Sequence, residues 1–138
     1  MRVFLDTNIV LDLLMARELF VENAQIIFQL GLNGEYEMWV SDITMVTVAY
    51  YAKKNRTIAE MYAALNYLRS MLLISGAGQQ AIDWALQLQN RDFEDAVQYY
   101  SAQNCEAEYI ITRNKQDYPL NQITVLTPDE FLRSIGVK

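Results

Sequence analysis

The sequence predicts an α/β protein, a three-layer α/β/α sandwich around a parallel sheet of four to five strands. Three observations predict it. Short apolar runs of strand length alternate with longer helical patterns. Nearly every such run ends in polar residues, as strands do that carry a site at their carboxyl edge. The 138 residues suffice for one domain, with no linker, repeat or low-complexity run to divide them.

Each element follows in order. Val3–Leu5 is a short apolar run ending at Asp6, read as a buried strand. Asn8 to Met15 reads as a helix with Ile9 and Leu13 inward. Val21 to Leu32 is a second helix, with Ile26, Ile27 and Leu30 on one face and Asn33-Gly34 closing it. Glu37–Val40 is the next strand, and Ser41 stands in an N-cap position for a helix carrying Met45, Val48, Ala49 and Ala52. Thr57-Ile58-Ala59-Glu60 is a capping box that starts a helix running to about Arg69. Met71–Ile74 is a third strand. Helices over Gln79–Gln89 and Phe93–Asn104 lead to a strand at Tyr109–Ile111, followed by Thr112-Arg113-Asn114. Ile123–Leu126 is the last strand. Thr127-Pro128-Asp129-Glu130 combines a cap, a proline at the first helical position and an acid three after the cap, so a final helix runs to about Gly136.

Composition narrows the chemistry. There is no histidine, which excludes histidine acid/base catalysis and histidine metal ligands. The single cysteine, Cys105, excludes an internal disulfide and cysteine-cluster metal sites. Hydrolytic or metal chemistry therefore falls mainly to the 17 Asp and Glu. The net charge of −6 argues against tight nonspecific nucleic-acid binding through bulk charge, although a bound metal and a local basic edge can offset it. The absence of a membrane-length apolar stretch or a signal peptide leads to the expectation of a cytoplasmic protein with no membrane partner.

The polar residues after the strands form a coherent set. Asp6 follows the first strand, Ser41 and Asp42 the second, and Thr112, Arg113 and Asn114 the fourth. Asp92, Glu94 and Asp95 open the helix that leads into the fourth strand, with Asp92 and Asp95 three apart on one face. Converging carboxylates repel unless they are protonated or bridged by a cation. All-oxygen ligands select hard cations, so Mg²⁺ or Mn²⁺ is the expected cofactor.

Three segments carry a family resemblance. Val3-Phe4-Leu5-Asp6-Thr7-Asn8-Ile9-Val10-Leu11-Asp12 resembles the opening of PIN-domain ribonucleases. Asp92-Phe93-Glu94-Asp95-Ala96, with Gln98 and Ala102 behind it, resembles that family's third acidic motif. Tyr109 to Tyr118 resembles its closing motif. Order, spacing and context agree over essentially the whole chain, 1–138, which is similar to a VapC-type toxin of a toxin–antitoxin pair. The resemblance implies an endoribonuclease in which carboxylates hold Mg²⁺ or Mn²⁺ and a metal-bound water attacks an RNA phosphodiester. It implies metal ligation by Asp6 and Asp95; Asp92, on the same helix face as Asp95, is a further metal candidate that could equally cap the helix, and Asp117 is a further catalytic candidate. Asn8, Asp12, Ser41, Thr47, Thr112, Arg113 and Asn114 are expected around them or against substrate. It also implies an antitoxin partner and a homodimer.

The chain departs from the family pattern at two positions. Thr47 stands where the family usually has a second acid, and Asn114 where it often has a fourth. The alternative reading is thus a catalytically impaired PIN-like protein or RNA-binding module. An aspartyl phosphotransferase ranks lower: its phosphatase form needs an aspartate at Asn8, and its receiver form needs a lysine after the last strand, where Thr127-Pro128-Asp129 stands. Among basic residues, Arg113 and Lys115 are the expected phosphate contacts. Lys53, Lys54 and Arg56 gather near a helix end, where the dipole favours cations.

Overall fold

The computed structural model describes residues 1–118 and 122–138. Five parallel strands form one sheet in the order β3-β2-β1-β4-β5: β1 (Arg2–Leu5), β2 (Glu37–Ser41), β3 (Leu73–Ser75), β4 (Tyr109–Ile111) and β5 (Thr124–Leu126). Their connections carry seven helices: α1 (Thr7–Leu14), α2 (Val21–Leu32), α3 (Asp42–Ala52), α4 (Ile58–Met71), α5 (Gly78–Leu88), α6 (Phe93–Asn104) and α7 (Pro128–Ser134). This is the α/β sandwich read from the sequence. Among the described residues, no helix is long and apolar enough to cross a membrane.

Alternation along the strands explains the layering, because successive side chains point to opposite faces. Val3 and Leu5 of β1 join Ile9, Ile27, Met38, Val40 and Phe131 in the larger core, under α1, α2 and α7. Phe4, between them, packs with Tyr99, Ala102 and Ile110 on the α6 side. All three β1 side chains are fully buried, as expected of a central parallel strand covered on both faces. Helix α2 lies so close to β2 that a Cβ on Gly31 would fall 2.6 Å from the sulfur of Met38.

The capping chemistry sits where the sequence placed it. Thr57 and Glu60 form a reciprocal capping box at α4, as Thr127 and Glu130 do at α7. Ser41 caps α3, accepting from the Thr44 amide at 3.1 Å. Two boundaries differ from expectation. Helix α4 continues to Met71, because Leu68 and Leu72 are both buried one turn apart and hold the last turn against the core. Strand β3 is accordingly short, Leu73–Ser75. A single 3-10 turn at Lys115–Asp117, absent from the sequence reading, follows β4 and turns Asp117 back toward α6.

The topology fixes the site. From the central β1 the chain moves outward to β2 and β3 on one side, then returns to β4 and β5 on the other. A parallel sheet opens a crevice at the carboxyl ends of the strands where the order reverses, here between β1 and β4. Leu5 pairs with Ile111 at that edge, and the Asp6 amide donates to the Ile111 carbonyl at 3.0 Å. Asp6 and Thr112 therefore stand side by side as the first residues beyond the sheet.

Candidate metal centre

Asp6 is only 4% exposed, and its carboxylate is held by neutral donors. Oδ1 accepts from the Thr7 amide at 2.7 Å and from Gln98 Nε2 at 3.5 Å. Oδ2 accepts from the Thr112 hydroxyl at 2.6 Å and from Asn8 Nδ2 at 3.3 Å. Burial raises its pKa above the ordinary aspartate value, and the Thr112, Thr7 and Gln98 hydrogen bonds pull it partway back. Asp6 also caps α1, so a structural and a chemical role share one side chain.

Beneath Asp6 lies a polar hub built on Gln98, which is completely buried on α6. Its Oε1 accepts from the Ser41 hydroxyl at 2.6 Å, and its Nε2 donates to Thr44 at 3.0 Å and Thr7 at 3.2 Å. The hub ties the ends of β1 and β2 to α6. Buried polar groups are tolerated only when paired, so this network locks α6 in one register against the sheet edge.

That register delivers the acids. Asp92 caps α6 by accepting from the Asp95 amide at 3.0 Å. Carboxylate oxygens of Asp92, Asp95 and Asp117 lie within 4.8 Å of one another. Asn90 holds the two segments together by donating to the carbonyls of Asp92 and Asp117, at 2.9 and 3.1 Å. Asp95 is pushed up to about 8, first by burial, then by the charges of Asp6, Asp92, Asp117 and Glu94. Glu94 is raised for the same reasons, burial first and then Asp6 and Asp92. Among the described residues, no basic side chain pairs with Asp6, Asp92 or Asp95, while Arg91 pairs with Asp117.

These groups border a cleft of about 250 Å³, lined by Asp6, Asn8, Arg17, Thr47, Glu94 and Asn114 among others. A hard cation fits the donor set. The acids supply oxygen ligands only, and their mutual repulsion is what a divalent ion relieves. One polar atom nearby supports the same fit. Asn8 Oδ1 is buried without a hydrogen-bond partner. The Tyr118 hydroxyl is buried facing Asp6, and its pKa is raised well above the ordinary value by burial and by the charges of Asp6 and Asp95. A hydrated ion brings water donors of the kind an orphaned amide oxygen can accept.

The sequence-derived candidates do not all converge. Asp6, Asp92 and Asp95 meet at the cleft, with Asn8, Thr47 and Asn114 on its walls. Asp117 joins Asp92 and Asp95. Ser41 and Thr112 sit behind Asp6, the first through Gln98 and the second directly. Asp12 is 1% exposed and is consumed by arginines: Arg113 grips it through two nitrogens at 2.8 and 3.2 Å, and Arg17 lies 3.5 Å away. Arg113 is thereby removed from the role of free phosphate contact, and it also stacks 3.9 Å from the Phe20 ring. Lys115 likewise pairs with Glu130 at 3.1 Å. Asp42 faces away, accepting from the Ile43 and Ala77 amides.

Glu94 is exposed on the cleft wall; the residue that sequence reasoning underrated is Gln98. The spacing of Asp95, Gln98 and Ala102 on one helix face was the available signal, since a glutamine on a buried stripe needs partners.

The profile of the PIN domain matches residues 2–116. The chain belongs to the PIN domain family. No curated protein sequence matches it significantly. Solved PIN structures share its fold. A VapBC-1 chain from nontypeable Haemophilus influenzae superposes with a TM-score of 0.69 at 20% identity, covering 94% of this chain and 99% of that one. A chain of a toxin–antitoxin complex from Klebsiella pneumoniae gives 0.65 at 25% identity, covering 91% and 97% of the two chains. A sarcin-ricin-loop-cleaving toxin from Mycobacterium tuberculosis gives 0.61 at 13% identity, covering 78% and 86%. In this PIN domain the acids of the opening and third motifs thus meet at one cleft.

Proposed function

We propose that this PIN domain is a metal-dependent endoribonuclease and the toxin component of a toxin–antitoxin pair. The observation that carries the reading is the convergence of Asp92, Asp95 and Asp117 within 4.8 Å, beside Asp6 and with Asp95 raised to about 8. Perturbed carboxylates in a cleft at a sheet's switch point are the arrangement that metal-assisted hydrolysis requires. Asp95 and Asp6, with Asp92, would hold Mg²⁺ or Mn²⁺. When bound, the ion would lower the pKa of a water and screen charge on the phosphate.

This chain's residues do the rest. Thr112, Thr7 and Gln98 fix the Asp6 carboxylate in one orientation. Arg17 lines the cleft wall while its guanidinium lies 3.5 Å from Asp12. Thr47 and Asn114 offer neutral hydrogen bonds where the family pattern has acids, and Glu94 supplies a carboxylate at the same cleft. Residues 1–138 would act as one domain, as a homodimer, with an antitoxin segment laid across the acidic cleft and an arginine of that segment pairing with the carboxylates. The Klebsiella toxin–antitoxin complex and the Mycobacterium toxin support this reading by similarity of fold.

Purified protein free of any partner should cut single-stranded RNA in Mg²⁺ or Mn²⁺, and Asp6→Asn or Asp95→Asn should abolish cutting. Equal cleavage, or none, by wild type and both variants would defeat the proposal. Thr47 and Asn114 favour one second reading, an RNA-binding PIN domain that does not cleave; it predicts binding without products at any metal concentration.

A further inference from the structure

Seven of the eleven basic side chains reach a carboxylate. Among the described residues, those that do not are Lys53, Lys54, Arg56 and Arg69. Three of these four stand together where α3 ends, in a protein of net charge −6. A helix carboxyl end favours cations by itself. It does not explain why they stand over aromatic rings. Lys53 Nζ lies 5.0 Å from the centre of the Tyr50 ring, and Lys54 Nζ lies 5.1 Å from Tyr50 and 4.9 Å from Tyr51. The two rings meet edge to face at 5.5 Å, and Tyr50 is 55% exposed.

The patch is joined to the cleft. Thr44 belongs to the Gln98 hub, and Thr47 and Tyr51 line the cleft wall. Positions 44, 47 and 51 follow one face of α3 at helical spacing. Lys53 and Lys54 stand in the turn directly after it, and from Thr47 to Tyr51 the helix climbs roughly 6 Å. An acidic cleft repels a polyanion except where metal sits, so a strand must be held from outside it. With Arg17 on the cleft wall, Arg113 and Lys115 all engaged by carboxylates, the end of α3 is, among the described residues, the cationic edge beside the cleft that remains open.

We propose that Lys53 and Lys54, seated on Tyr50 and Tyr51, form a docking surface for the phosphate backbone of single-stranded RNA entering the cleft. The charge complementarity is direct, and the exposed Tyr50 ring offers a sequence-tolerant face to a base. The ammonium groups supply point charges without base-specific geometry, so the surface contributes affinity and orientation but no sequence choice. This inference rests on the nuclease reading for the identity of the ligand.

The test is fluorescence anisotropy with short labelled oligouridine and oligoadenosine at fixed Mg²⁺. The background is Asp95→Asn, and salt is varied. Lys53→Gln/Lys54→Gln should weaken binding equally for both RNAs and flatten the log–log salt dependence by about 1.4, two phosphate contacts' worth for a single strand. RNA cleavage by the otherwise wild-type protein is measured in parallel. A flattened slope without cleavage keeps the surface and removes the nuclease reading. Cleavage with an unchanged slope removes the surface and keeps the nuclease. Unchanged RNA binding together with lost self-association in sedimentation would mean that the patch joins two copies of the chain, and would overturn the proposal. Both lysines are exposed, so the variant should fold as the parent does.

Discussion

Metal affinity should depend steeply on pH, and Asp95 sets the dependence. A carboxyl raised to about 8 carries its proton through the neutral range, and a metal must displace that proton to bind. With that value, Asp95 is about 1% ionised at pH 6, about 10% at pH 7 and half ionised at pH 8. Mn²⁺ affinity should therefore rise about fifty-fold between pH 6 and pH 8, then level off. At pH 7, binding should release about 0.9 of a proton. Isothermal titration calorimetry in two buffers of different ionisation enthalpy reads both quantities. The metal-free protein has the linked behaviour. Its folded state holds a proton that the unfolded chain releases above 3.8, so the Asp95 contribution to stability is full below 3.8 and is lost as pH rises to about 8. A flat affinity between pH 6 and 8 with no proton released would refute the reasoning, because it would mean that Asp95 is already ionised or does not touch the ion.

Other expected outcomes follow from the buried polar groups and the core. Gln98→Leu should cost about 2–3 kcal/mol in urea denaturation, since it removes the buried bonds to Ser41, Thr44 and Thr7 and leaves the Ser41 hydroxyl only Thr44 at 3.3 Å to donate to; a neutral result would show that the hub does not hold α6. Asp12→Ala leaves Arg113 and Arg17 without their carboxylate and should cost about 3 kcal/mol, measured the same way. Gly31→Ala drives a methyl into Met38 and should lower stability by about 1–2 kcal/mol, partly relieved because the methionine side chain can bend.

Elements with local signals were legible in the sequence. The capping boxes at Thr57 and Thr127 announced α4 and α7, and the uninterrupted apolar run at Val3–Leu5 announced a strand buried on both faces. Asp6 was legible for the same reason: a strand-end aspartate needs no knowledge of tertiary structure. Pairing choices were not legible. Nothing in the spacing of Asp12 says that Arg113, a hundred residues away, arrives to take it, or that Lys115 turns to Glu130. The return of Asp117 toward Asp92 and Asp95 depends on a 3-10 turn of three residues, too short to leave a periodic pattern. Glu94 keeps the exposure that helical phase gives it, and only the position of α6 against the β1 edge makes that solvent a cleft.

The central claim is that these carboxylates form a metal centre, and anomalous scattering from a Mn²⁺-soaked crystal tests it most directly. The account predicts a peak about 2.1 Å from an Asp95 oxygen, shared with at least one of Asp6, Asp92 and Asp117, and lost in Asp95→Asn. Full Mn²⁺ occupancy elsewhere, with no peak at Asp95 above pH 8, would contradict it.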